Sequence, residues 1–253
     1  MVMKRSLYLL LFFLFTCVAL WGQEKKFNFS FSMVRIDSTY DAAPATQASR
    51  LMTLYRPELE RRMMTVVGYA PQEMRSFRPE SPLSNFAADA LLTIASQYAK
   101  EPIDFSLTNF GGLRASFRKG DVRLYDIYAV FPFENALVIL EMEGKDVEEL
   151  FNHFARTGRV EAVGNVRAEV KNGAIQKLLI AGQPFDPHKR YKMATIDFLL
   201  GGGDNVAVLK NALSVVDTGI MIRDAVVEYI SMLKSQGKDI SAPIEGRVKI
   251  VNE

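Results

Sequence analysis

The chain has 253 residues, 49% of them hydrophobic and 24% charged, which is a globular composition rather than a disordered or fibrous one. Its 31 basic and 29 acidic residues leave a formal charge of +2, too small an excess for a dedicated binder of nucleic-acid polymers. A single cysteine, Cys17, rules out a disulfide scaffold within one chain.

The first 22 residues are set out like a signal peptide. Lys4 and Arg5 precede an apolar run over 7–21, and small Gly22 follows. The run falls short of the roughly 20 apolar residues that a membrane span needs. Cleavage near Gly22 is expected, with lipidation at Cys17 as the poorer-fitting alternative. Export to a bacterial periplasm or outer surface follows from that layout. A mature chain without thiols must then rely on its own core.

The domain itself is expected over 27–253. FNFSFSMVRI (27–36) opens with apolar–polar alternation, the pattern of a half-buried strand. A helix is expected over 46–62, kinked or split by Pro57. MTVVGYA (64–70) reads as a strand and RSFRPESP (75–82) as loop. Leu83, Phe86, Ala87, Ala90, Leu91, Ile94, Ala95 and Tyr98 share one helical face. Ser81 suits the N-cap of that helix, with Pro82 at its first position.

DFSLTN (104–109) is a short strand that runs into NFGGLR, and YDIYAVFPF (125–133) breaks at Pro132. ALVILEME (136–143) reads as a buried strand and Gly144 starts a helix. VRAEVKNGAIQKLLI (166–180) is a hairpin, since Asn172-Gly173 favours the positive φ of a tight turn. YKMATIDFL is a further strand, 221–233 an amphipathic helix and GRVKIV (246–251) a closing strand. Helices and strands mix without regular alternation, so the fold class is α+β, a single mixed-sheet domain.

Catalytic signatures are missing. His153 and His188 have no second His or Cys at ligand spacing. The chain has no nucleophile elbow, no phosphate-binding P-loop and no dinucleotide fingerprint. Three segments instead carry unusual residue choices. NFGGLR (109–114) puts Arg114 after two glycines, FPFEN (131–135) presents Phe133 and Asn135, and TIDFLLGGGDN (195–205) presents Phe198 and Asp204. Two rings, an arginine, an asparagine and a carboxylate suit a nucleoside. The rings sandwich the base, Asp204 accepts from ribose hydroxyls and the arginine meets phosphate.

NFGGLR, PFEN and DFLLGGGD, in this order and spacing, resemble the C-terminal, substrate-binding domain of 5′-nucleotidases, UDP-sugar hydrolases and 2′,3′-cyclic phosphodiesterases. The resemblance covers about 60–251. It implies that Phe133 and Phe198 clamp the base, that Asp204 binds ribose and that Asn135 reaches the base edge. It implies that Arg114 holds phosphate or ribose, with Asn109 shaping its loop. RSFRPESPLSN aligns with the family's arginine loop, making Arg75 and Arg78 further candidates, although Ser84 stands where Gly is usual. Phe110 and Glu134 also replace residues that are often Gly, and Glu134 would put a carboxylate beside the base.

In that family a preceding metallophosphatase domain carries the metals and the catalytic His–Asp pair. Here the residues before the arginine loop contain no His. The resemblance therefore implies a recognition domain with no cofactor of its own, working with a separate metallophosphatase chain. The alternative is a non-catalytic nucleoside-binding protein.

Overall fold

A computed structural model describes residues 28–35, 37–38 and 46–251. The leader lies outside them. The chain divides into two units, Met1–Leu51 and Met52–Glu253. In the first, 28–35 has no regular structure and every one of its residues is exposed. The strand expected there is not formed, because alternation favours a strand only when one face finds a core to bury. Helix α1 (Gln47–Met63) runs through Pro57 without being split. It has no buried residue, so water can satisfy the backbone where the proline interrupts the hydrogen-bond ladder.

The second unit is built on three sheets. β1 (Val66–Ala70) pairs antiparallel with β3 (Gly120–Arg123). The central sheet joins β2 (Phe105–Thr108), β4 (Ala136–Glu143), β5 (Ala162–Gly164), β9 (Arg190–Ile196) and β10 (Ser214–Met221) in the order β10-β4-β9-β2-β5. Only β2 and β9 run parallel within it. The third sheet has the order β11-β6-β7-β8, from β6 (Val166–Lys171), β7 (Ala174–Ile180), β8 (Gln183–Pro184) and β11 (Val248–Val251). Its β6–β7 hairpin turns at Asn172 and Gly173, with φ of 49° and 76°, as the Asn-Gly pair demands.

Helix α2 (Pro82–Ala99) packs against β2, β5 and the later helix α6 (Ile222–Ser235). Its expected stripe is buried from Leu83 to Ala95, whereas Tyr98 is 47% exposed. Burying Phe86 alone contributes about 1.5–3 kcal/mol, and its ring meets Phe117 edge-on at 6.0 Å. Ser81 Oγ caps the helix by accepting from the Ser84 N–H, and Ser84 Oγ in turn accepts from the Ser81 backbone N–H. That reciprocal cap is a local reason for a serine at 84. Helix α3 (Leu124–Val130) fills the segment before Pro132, and α4 (Gly144–Thr157) packs on β4, β7 and β9. A single turn, α5 (Asp197–Leu200), follows β9.

Candidate functional site

Three motif segments emerge at strand ends. NFGGLR leaves β2 through a 3-10 turn over Phe110–Gly112, FPFEN joins α3 to β4, and DFLLGGGD follows β9. These strands are neighbours in the central sheet, in the order β4-β9-β2. Sheet order, rather than sequence distance, therefore groups the segments.

Asn109 is the joint between two of them. Its side chain is only 5% exposed, and its Nδ2 donates to Asp204 Oδ2 at 2.6 Å. The glycines beside it have a local cause. A Cβ on Gly112 would lie 2.7 Å from Asn109 Oδ1, and one on Gly111 3.3 Å from Nδ2. The sequence suggests that these glycines admit a close neighbour, and that neighbour is the Asn109 amide. Asn109 Oδ1 is buried without a hydrogen-bond partner among the described residues. Asn109 also lines a cavity of about 10 Å³ with Thr108, Phe133, Asn135 and Ile196, among others.

Asp204 is exposed, and among the described residues its only hydrogen bond is the one from Asn109. One carboxylate oxygen is thereby oriented and the other stays open. Asp204 and Asn205 have φ of 51° and 62°, the left-handed region that costs most residues energy. Gly202 precedes them at φ 91°. Gly203 lets the Phe198 ring lie on the backbone, since a Cβ there would be 2.4 Å from Phe198 Cε1. Phe198 remains 44% exposed and Phe133 47%. Exposed rings held at motif positions leave apolar faces for a ligand.

Arg78 already has partners within the protein. Its guanidinium donates to the Val160 carbonyl and to Glu161, and stacks on the Phe110 ring at 4.5 Å. Glu161 Oε2 accepts the Phe110 N–H at 2.8 Å. Phe110, at a position where glycine is usual, thus supplies the platform for Arg78. Arg75 pairs with Glu73 at 2.9 Å and meets none of the other candidates. Arg114 is exposed, and its backbone N–H donates to the Val130 carbonyl at 2.9 Å. Glu134 is paired, its Oε1 accepting from Arg223 Nη2 at 3.2 Å.

Sequence reasoning missed Glu161, Arg223 and the far wall of the site. A cavity of about 210 Å³ lies beside Asp204, bounded by His153, Thr157, Arg159, Glu161 and Asn205. His153, set aside on its spacing, is thereby part of the surroundings of Asp204. Their distance in sequence left no local signal. Among the described residues no three His, Cys, Asp or Glu side chains gather as metal ligands.

The model of the 5′-nucleotidase C-terminal domain matches residues 66–211, more than half of the chain. The chain belongs to this family. Protein UshA of Escherichia coli K12 is 34% identical over 59% of this chain and 28% of its own length. Cell wall protein Lmo0130 of Listeria monocytogenes is 28% identical over 66% of this chain and 23% of its own. The crystal structure of the 5′-nucleotidase precursor from Thermus thermophilus aligns with a TM-score of 0.69 at 27% identity. It matches 84% of this chain and 45% of that one. The chain thus spans about a quarter of the length of these two curated relatives and under half of the solved structure. The matched part is the 5′-nucleotidase C-terminal domain, and the α+β architecture agrees with it.

Proposed function

We propose that this 5′-nucleotidase C-terminal domain recognises a nucleoside or nucleotide in an exported protein, while a separate metallophosphatase chain hydrolyses the phosphate ester. Phe133 and Phe198 stack on the base and Asn135 reads its edge. The open Asp204 oxygen accepts from ribose hydroxyls on the side of the His153–Arg159 cavity. Arg114 meets the phosphate, with Arg78 and Arg75 as outlying cations. Metal-activated water would belong to the partner, and base binding on this domain would orient the phosphate for it. The observations that carry this reading are two half-exposed rings at the motif positions and a carboxylate that Asn109 orients at 2.6 Å. Export is supported by the leader layout and by the likeness to a protein named for the cell wall. No helix among the described residues is long and apolar enough to cross a membrane.

A second reading is capture of nucleosides without turnover. The commitment of Arg78 to Glu161 and Val160 favours it, because that charge is already countered. Calorimetry with adenosine and AMP tests recognition. Phe133→Ala and Phe198→Ala should each weaken binding several-fold, since a stacked ring contributes on the order of 1 kcal/mol beyond its burial. Affinity unchanged in both variants refutes the sandwich. AMP hydrolysis by a metallophosphatase with and without this chain separates the two readings. No change in rate or KM, and no complex on sizing, leaves only capture.

A further inference from the structure

We infer that Arg223 is a positioning residue that holds the Phe133 loop in its ligand-ready shape, an inference that rests on the reading of Phe133 as a base-stacking ring. Sheet register brings the two parts together. Met221, the last residue of β10, pairs with Ala136, the first of β4. The first turn of α6 therefore starts beside the segment that leads into β4. The Ile222 N–H donates to the Asn135 carbonyl at 2.9 Å, and Ile222 is 4% exposed. Next along the helix, Arg223 Nη2 reaches Glu134 Oε1 at 3.2 Å while its guanidinium plane covers the Tyr128 ring at 4.8 Å. The Arg223 side chain is only 14% exposed, whereas that of Glu134 is 83% exposed.

The geometry is that of a latch. Phe131, 2% exposed, anchors one side of the loop in the core. Arg223 and Ile222 hold the other side through Glu134 and Asn135. Phe133 lies between these fixed points with its ring half in solvent. A loose aromatic must be immobilised before it can stack, at a free-energy cost that a fixed loop avoids. A planar guanidinium suits this task because it can stack on Tyr128 and donate to a carboxylate together, which an ammonium does not do. Glu134, anomalous beside a base pocket, is then explained as the handle that Arg223 grips.

The test combines calorimetry with hydrogen exchange on the full chain. Arg223→Ala should weaken AMP binding about three- to ten-fold, the range for ordering one more side chain on binding. Arg223→Lys should fall between that variant and the wild type. Glu134→Gln should follow in the same direction, and as a change to an exposed side chain it does not threaten folding. In a Phe133→Ala background neither substitution should matter further, because the ring they position is gone. Without ligand, Arg223→Ala should speed amide exchange across 131–136 while the helix α2 amides keep their protection. Equal losses with and without Phe133, or no loss in either variant, overturn the positioning role. Unchanged exchange across 131–136 overturns the latch. If wild-type protein binds neither AMP nor adenosine, the nucleoside reading falls and the positioning role with it, while exchange still reports on the latch.

Discussion

Two polar clusters in the second unit follow opposite rules. Around Glu80, which is 6% exposed, every partner is present: Asn85 Nδ2 and the N–H groups of Glu245 and Arg247 each donate to its carboxylate at 2.7 Å. Arg247, equally buried, grips Asp89 through two bonds of 2.7 and 2.9 Å and donates to the Val163 carbonyl at 3.2 Å. This network ties the start of α2 to the C-terminal segment. Around Asp204 the chain does the reverse. Among the described residues it leaves an oxygen without a protein partner, an Asn109 Oδ1 unsatisfied, two rings half-exposed and two residues in left-handed backbone. Satisfied polar groups specify a fold, and groups left open at a strained turn are available to a ligand.

The widest gap between the clusters should appear on removing Glu80. Glu80→Ala strands several buried donors and should lower unfolding stability by about 3 kcal/mol in urea, with AMP affinity of the folded protein unchanged. A stability loss near zero would break the contrast from the structural side. Asp204→Asn should do the converse. It keeps a residue that tolerates φ of 51° but removes the charged acceptor. AMP affinity should fall about ten-fold, the worth of a hydrogen bond to a charged group, with unfolding stability nearly unchanged.

Gly203→Ala sharpens the site side further. Its Cβ would strike the Phe198 ring, so AMP binding should weaken by about the several-fold loss of a stacking ring. The smallest effect concerns acid. Burial alone would raise the Glu80 carboxyl, but the hydrogen bonds from Asn85 and the backbone of Glu245, Arg247 and Val248 outweigh it and hold it below its ordinary value. A carboxyl depressed in the folded state stabilises above its unfolded value, about 4.3 for Glu. That contribution disappears as pH falls through the lower folded value. Stability measured from pH 6 downward should therefore decline on the acid side, and Glu80→Gln should flatten that decline.

Much of the frame was legible because it is local. The Ser81 cap, the stripe from Leu83 to Ala95, the Asn172-Gly173 turn and the buried strand at 136–143 each follow from neighbours in sequence. The alternation at 27–36 misled, because its pattern is local while the burial that would make it a strand is not. At the site, Asn109, Phe133, Asn135, Phe198 and Asp204 were visible as motif residues. The joints were not. Asn109 meets Asp204, Arg78 meets Glu161, Glu134 meets Arg223 and Glu80 meets Arg247 across long stretches of chain.

The amino-acid order by itself determined the α+β class, the bounds of elements such as α2, β4 and the β6–β7 hairpin, and the three motif segments, while β3, β5 and β10 went unread. Short-range forces suffice for that, namely backbone preference, capping and the side-chain period of each element. Only the tertiary structure decided that Arg78 is paired with Glu161, that paired glycines make room for Asn109 and that Glu134 meets Arg223. Such pairs depend on sheet order and register, and a single polar contact between distant residues has no period for a sequence to display.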